Sequence, residues 1–391
     1  MQTEKTADFI VIGTGVIGAS IAFHLAKRKA GRILVLDKEL AAQGGSSRSS
    51  ALVRMHYTLP DEVRLALKSF EIFKNWEDYV GRPGHFKRLG FVRLVPDNEV
   101  ERLKKNVAMQ RELGANTRLI TPQELKGIEP DWAVDDIPGI AAYEPDSGYG
   151  DGSITANDFL DRAREMGARF LPRTRVTAFR TEGGRVRGVV TDKGDFEAPV
   201  VVSATGPWSR PLFREVGIDL PIEPEYHRVA ILKNPPSMRG GGCALIDSIA
   251  SMYMRSEGRD MTLVGEFVGP RNIDPDNFPQ SIPEEDMAEI AMLGAHRIPA
   301  LNDCGVARGV TGMYDMSPDQ RPLIGPVAGV EGLYVAAGFS GMGYKISPAI
   351  GLTMAEQILD GRSKTVDISI FDPGRFAAGR PIRATHEYSD E

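Results

Sequence analysis

Cysteine is almost absent from this chain of 391 residues: Cys243 and Cys304 are the whole complement, far apart and not part of a CxxC pair. That excludes a disulfide framework and a cysteine-built zinc site, and no metal site is expected. Low cysteine use fits a reducing compartment. Aromatics make up only 7% of the sequence. There is no apolar run approaching the 18 residues or so of a membrane span. Met1 to Asp8 is short and polar, without the basic start and apolar stretch of a signal peptide. These absences make a cytoplasmic protein the expectation. There is also no block of Lys and Arg, and the net charge is -6, so a nucleic-acid partner is not expected.

What the chain does have is 42% hydrophobic residues and 42 glycines. Its length suits two cores rather than one. Phe9-Ile10-Val11-Ile12 is apolar on both faces, as a buried parallel strand is. From Gly13 to Lys29 the apolar residues fall at helical spacing, and Gly31 is a stop signal. Ile33–Leu36 is a second strand, ending at Asp37. Further helices are expected at Pro60–Val80, Glu99–Leu113, Thr155–Met166 and Pro348–Leu359. Other strands are expected at Phe91–Val95, Arg175–Arg180, Val186–Thr191, Pro199–Ser203, His227–Leu232, Ser251–Arg255, Thr262–Phe267 and Leu333–Ala337. Asn234–Gly242 reads as a loop, and the polar tail from Arg380 as loosely ordered.

The first motif is Gly13-Thr14-Gly15-Val16-Ile17-Gly18, a GxGxxG between a strand and a helix. Its glycines allow a tight turn, close approach of backbone amides to a pyrophosphate, and tight helix–strand packing. The helix N-terminus favours the negative charge. Asp37 follows Gly18 by nineteen residues, where an acid can accept from a ribose hydroxyl. The strand, helix, second strand and acid agree, so a dinucleotide site is expected rather than a chance glycine-rich turn. The small polar run Gly44-Gly45-Ser46-Ser47-Arg48-Ser49-Ser50 can wrap a pyrophosphate, although its composition alone also suits a surface loop.

With these residues the chain resembles the D-amino acid oxidase superfamily, in its sarcosine oxidase and glycine oxidase branch. The resemblance rests on Ile12–Gly18 with Asp37, on Gly45-Ser46-Ser47 and Arg54, and on Ala204-Thr205-Gly206-Pro207-Trp208. It continues through Gly312–Asp319, Pro322–Gly325 and Ala336–Lys345. It implies an α/β fold: a Rossmann-type FAD-binding domain with an inserted β-rich substrate-binding domain. Residues 8–80, 145–215 and 315–370 would build the discontinuous FAD domain, 81–144 and 216–314 the substrate domain, and 371–391 a C-terminal tail.

The resemblance also implies site residues. Gly13, Gly15, Val16, Ile17, Gly18, Asp37, Lys38, Gly45, Ser46, Ser47, Arg48 and Val176 would contact FAD. So would Ala204, Thr205, Gly206, Trp208, Gly312, Gly338, Gly341, Met342, Gly343 and Lys345. Arg54 and Lys345 match family residues that hold a substrate carboxylate. A guanidinium gives such a group two parallel hydrogen bonds and an ammonium gives it a point charge. Tyr314 and Tyr253 are candidates to present hydroxyls to the substrate, with a half-buried core role as the alternative. Arg255 shares strand parity with Tyr253, so it could hold a second acidic group. His56 and His227 are not assigned as bases.

Two positions depart from the sarcosine oxidase pattern. Gly312 stands where those enzymes attach FAD to cysteine, so FAD is expected to be non-covalent. Leu263 aligns with a lysine that supports reaction with oxygen, which points to a different electron acceptor. The activity implied is oxidation of a small carboxylate-bearing amine by hydride transfer to flavin, with oxygen or another acceptor taking the electrons. The alternatives are a 2-hydroxy acid dehydrogenase, a flavin subunit of a larger amine dehydrogenase complex, and a non-catalytic nucleotide binder. The sequence is compatible with an oligomer.

Overall fold

The computed structural model of the protein describes residues 5–238 and 242–389. Residues 1–4 of the polar N-terminus, residues 239–241 of the expected Asn234–Gly242 loop and the last two residues of the tail lie outside the described residues. Phe9–Ile12 is the strand expected, and it is central in a six-stranded sheet. On one side it pairs in parallel with Ile33–Leu36, which pairs with Arg169–Leu171. On the other it pairs with Val200–Ser203, followed by Leu333–Ala337 and an antiparallel edge strand, Leu323–Pro326. All four residues of Phe9–Ile12 are buried because the sheet is covered on both faces. Phe9 and Val11 join one core, with the Val16–Lys27 and Gly343–Asp360 helices. Ile10 and Ile12 join the other, with Phe179, Val189 and Phe213.

A second sheet has eight strands and is antiparallel except for the pair Phe91–Leu94 and Ala244–Asp247. Its edge is the strand Gly305–Met316, paired along its length with Glu223–Lys233. The parallel sheet and the separate, largely antiparallel sheet make the mixed α/β architecture expected. A three-stranded sheet begins at Val176–Glu182.

Three local expectations needed correction. The Pro60–Val80 helix is two helices, Pro60–Lys74 and Trp76–Val80, broken at Asn75, whose side-chain amide donates to the Glu71 carbonyl at 2.8 Å. The last helix starts at Gly343 rather than Pro348. Pro348 has no N–H to give Tyr344, and the Ser347 hydroxyl donates to that carbonyl at 2.8 Å instead. The long strand Gly305–Met316 and the Glu284–Arg297 helix were not anticipated. The tail is not loose: Ile382 and Tyr388 are buried, Asn106 Nδ2 donates to the His386 carbonyl at 2.9 Å, and the Ser389 amide donates to Glu99 at 2.9 Å.

Candidate active site

Gly13 ends the first strand with φ +99°, a left-handed conformation open to glycine. A Cβ there would lie 2.4 Å from the Ala204 carbonyl oxygen, so the glycine turn and the end of Val200–Ser203 meet without side chains between them. Val16 opens the helix, and its amide donates to Ser46 Oγ at 2.9 Å, so Ser46 sits at the helix N-terminus. Asp37 accepts from the Thr14 amide at 2.7 Å, from the Thr14 hydroxyl at 2.5 Å and from the Glu39 amide at 2.9 Å. Gly13, Gly15, Val16, Ile17, Gly18, Asp37, Ser46, Ala204 and Thr205 therefore belong to one cluster at the ends of three parallel strands. That is the place where open parallel sheets bind dinucleotides. The bare turn, the helix N-terminus and the acid fit FAD.

The remaining expected cofactor residues adjoin this cluster. The Lys38 ammonium lies 3.7 Å from the Trp208 ring centroid and pairs with Asp276. Trp208 Nε1 donates to the same carboxylate at 2.9 Å, and Arg175, next to Val176, reaches it at 3.1 Å. Arg48 donates to the Thr311 carbonyl at 3.0 Å and to Gln280 at 2.8 Å. A Cβ on Gly45 would lie 3.4 Å from the Met313 carbonyl, and one on Gly312 would lie 3.4 Å from Arg48 Cβ. Gly44–Arg48 thus packs on the Gly305–Met316 strand. Ser47 donates to the Gly44 carbonyl at 3.2 Å, closing the turn. Gly206 opens the short helical turn that leads to Trp208.

The segment from Gly338 to Gly343 closes the site from the other end of the chain. The Gly338 amide donates to Asp315 Oδ2 at 2.7 Å, and burial pushes the Asp315 carboxyl up to about 6. Gly341 has φ +82°, and a Cβ there would lie 2.9 Å from the Tyr314 ring. Met342 caps the helix that begins at Gly343, and Lys345 is that helix's third residue.

A cavity of about 170 Å³ lies here, lined by Arg54, Tyr253, Tyr314, Gly341, Met342 and Lys345 among others. Lys345 is 7% exposed and donates to the Gly341 carbonyl at 3.2 Å. Burial holds its pKa well below the ordinary lysine value; the Arg54 charge pushes the same way and Glu62 opposes it. Arg54 Nη1 donates to the His56 carbonyl, and its guanidinium lies 4.5 Å over the Tyr57 ring. Its Nε is buried and has no partner among the described residues. An unsatisfied buried donor in a cavity wall marks a place for a ligand acceptor. Tyr253 and Tyr314 both have their phenols held protonated, first by burial and then, for Tyr253, by the neighbouring Tyr314.

Other candidates lie elsewhere. Arg255 does not reach the cavity. Its Nε donates to the Ser50 carbonyl at 2.6 Å, it pairs with Glu257 at 2.6 Å, and it lies 4.0 Å over the Tyr149 ring. Strand parity fixes the face from which a side chain leaves, not where a long one ends. His56 bonds the Tyr388 hydroxyl at 2.9 Å and burial keeps it neutral. His227 pairs with Glu225 at 2.8 Å. Leu263 packs with Tyr253 and Val229. Among the described residues, the one lysine lining the cavity is Lys345.

Sequence reasoning missed Glu62, Arg93 and Arg321, which also line the cavity. All three are buried. A signal for Arg93 was present: it is the lone charge in the apolar strand Phe91-Val92-Arg93-Leu94. Glu62 and Arg321 carried none, because their partners are distant in sequence.

The family model described as DAO, FAD dependent oxidoreductase, matches residues 8–357. The chain is 27% identical to FAD-dependent oxidoreductase domain-containing protein 1 of Xenopus laevis, over 97% of this chain and 84% of that protein. It is 26% identical to mitochondrial sarcosine dehydrogenase of Homo sapiens, over 95% of this chain and 42% of that protein. The crystal structure of L-proline dehydrogenase from P. horikoshii superposes with a TM-score of 0.89 at 30% identity, covering 97% of this chain and 100% of that one. A glycine-lined cluster at the strand ends and a cavity that carries Arg54 and Lys345 are thus found in a chain that belongs to the DAO family of FAD-dependent oxidoreductases, enzymes that oxidise amino acids and amines.

Proposed function

We propose that this protein oxidises the C–N bond of a small N-substituted amino acid, of the sarcosine or proline kind, with non-covalent FAD. One observation carries the reading: Arg54 and Lys345, from opposite ends of the chain, line one cavity together with Gly341 and Met342. The names of two relatives, sarcosine dehydrogenase and L-proline dehydrogenase, support an N-substituted substrate.

FAD supplies a two-electron acceptor for the hydride of the substrate C–H. Arg54 and Lys345 grip the carboxylate and so fix the position of the adjacent C–H. A cation beside the amine disfavours its ammonium form, and loss of a hydride from carbon requires the neutral amine. Tyr253 and Tyr314 keep their protons and serve as donors that orient the substrate. His56 bonds Tyr388, and His227 pairs with Glu225 behind the Tyr314 ring; neither lines the cavity, and no general base is needed. The substrate loses a hydride from carbon and a proton from nitrogen, and water hydrolyses the resulting imine to a carbonyl compound and an amine or amino acid, or opens a cyclic imine to one molecule carrying both groups. Leu263 beside Tyr253 favours an electron acceptor other than oxygen.

The test is an anaerobic visible titration of the flavin-loaded protein with amino acids, N-alkyl amino acids, proline and 2-hydroxy acids. Bleaching by N-substituted amino acids, with slow recovery in air, is expected. Bleaching by hydroxy acids alone would replace the reading with hydroxy-acid oxidation. No bleaching by either class would remove both.

A further inference from the structure

The C-terminal segment contacts the framework of all three arginines in the cavity wall. Tyr388 is 2% exposed and stacks on His56, with ring centroids 5.9 Å apart and planes 12° apart. Its hydroxyl bonds His56 Nε2 at 2.9 Å, and the carbonyl of that same His56 holds the Arg54 guanidinium. The Arg93 guanidinium lies 4.7 Å from the Tyr388 ring centroid. The neighbouring residue, Glu387, accepts from Arg321 Nη2 at 3.1 Å. Arg54, Arg93 and Arg321 all line the cavity.

Three guanidinium groups around one small cavity repel each other, although the Glu62 carboxylate in the same wall pairs with Arg321. A flat aromatic face and a carboxylate counter that: the ring attracts a cation over its face, and the carboxylate offsets charge. Bidentate binding of a carboxylate also depends on the plane of the guanidinium, not merely on its charge.

We propose that Tyr388 and Glu387 are positioning residues that hold the arginines of the substrate cavity in the orientation that binds a carboxylate. The proposal rests on the reading that Arg54 receives the substrate carboxylate. Neither residue touches the reacting atoms. They act through His56, Arg93 and Arg321, so their effect falls on substrate affinity rather than on the chemical step.

The experiment compares Tyr388→Ala, Tyr388→Phe and Glu387→Gln with the wild type, all as flavin-loaded full chains. Acetate, which cannot be oxidised, is titrated against the oxidised flavin spectrum to give a Kd. The substrate KM and the flavin bleaching rate at saturation are measured separately. For Tyr388→Ala, both KM and acetate Kd are expected to rise about tenfold, with the saturating rate and flavin content unchanged. Tyr388→Phe keeps the ring under Arg93 and should recover most of the affinity. Glu387→Gln should raise both constants about threefold.

A loss of flavin and thermal stability, with unchanged KM and Kd, would make the segment a structural brace and overturn the proposal. If Tyr388→Ala does not fold, Glu387→Gln decides, and wild-type KM and acetate Kd in that variant overturn the proposal. If no amine bleaches the wild type, the proposed substrate falls. The acetate constants still judge the positioning role: a raised Kd supports it and an unchanged Kd overturns it.

Discussion

Glu62 and Arg321 form an ion pair of 2.9 Å in the cavity wall, with side chains 1% and 3% exposed. Arg321 also donates to the Thr58 hydroxyl at 3.0 Å and to Glu387 at 3.1 Å. The pair ties the first turn of the Pro60–Lys74 helix to the segment leading into Leu323–Pro326. Removing one member of a buried pair leaves the other charge uncompensated, which costs about 3–5 kcal/mol. Glu62→Ala should fall at the low end of that range, because Glu387 still offsets Arg321. Urea unfolding of the flavin-loaded protein reads it. A loss under about 1 kcal/mol would show that the pair adds little to stability.

Lys345→Met should keep flavin bound and raise KM for the amino acid. One charge-assisted contact is worth about 1.5–3 kcal/mol, so kcat/KM should fall about tenfold to a hundredfold. Unchanged kinetics in a titration with substrate would take Lys345 out of the site.

How legible these features are in the sequence depends on how local they are. Phe9–Ile12, the Val16–Lys27 helix and Ile33–Leu36 follow from short apolar patterns, and Gly13 through Asp37 could be read as one unit. Arg54 and Lys345 meet across almost the whole chain, and only resemblance to a family joined them. Glu62 and Arg321 belonged to no motif, so nothing linked them. The Gly305–Met316 strand is half exposed and rich in small residues, so it carries little alternation. The tail is polar on average, yet single residues such as Ile382 and Tyr388 anchor it. Average polarity is a poor guide where a few side chains do the docking.

The pH dependence of ligand binding should carry the signature of Lys345. Its pKa in the folded protein lies well below the ordinary lysine value. Between those two values the unfolded chain binds the extra proton, so the penalty this lysine imposes on folding is full below the folded pKa and fades as pH rises through the unfolded one. A carboxylate binds best to the protonated form, so acetate affinity should fall as pH rises through the folded pKa. Glu62 is paired with Arg321, and Tyr253 and Tyr314 are held protonated by burial. Acetate Kd measured across the whole pH range in which the protein stays folded checks this. Lys345→Met should flatten the profile, and a slope that survives the substitution would assign it to another group.

Acid precipitation of the flavin-loaded protein should release all its flavin. Gly312 offers no thiol, and neither Cys243 nor Cys304 lines the cavity. Burial pushes the Cys243 thiol up, and its Sγ is engaged with the Leu89 carbonyl at 3.2 Å. Flavin absorbance in the washed pellet would contradict the reading of Gly312 and require a different attachment residue.

Gly341→Ala tests the junction between the two ends of the site. At φ +82° an L side chain is strained, by about 1–2 kcal/mol. The new Cβ would also lie 2.9 Å from the Tyr314 ring, so Tyr314 must shift within the cavity wall. Flavin should remain bound, stability should fall by at least the backbone cost, and kcat/KM should fall with the displaced tyrosine. The two causes separate in a double-mutant cycle with Tyr314→Ala. Without the ring the methyl meets no steric opposition from residue 314, and only the backbone strain is left. Equal losses from Gly341→Ala in both backgrounds would show that contact with Tyr314 is not what requires glycine there. A smaller loss without the ring would show that glycine serves to seat Tyr314 against the substrate cavity.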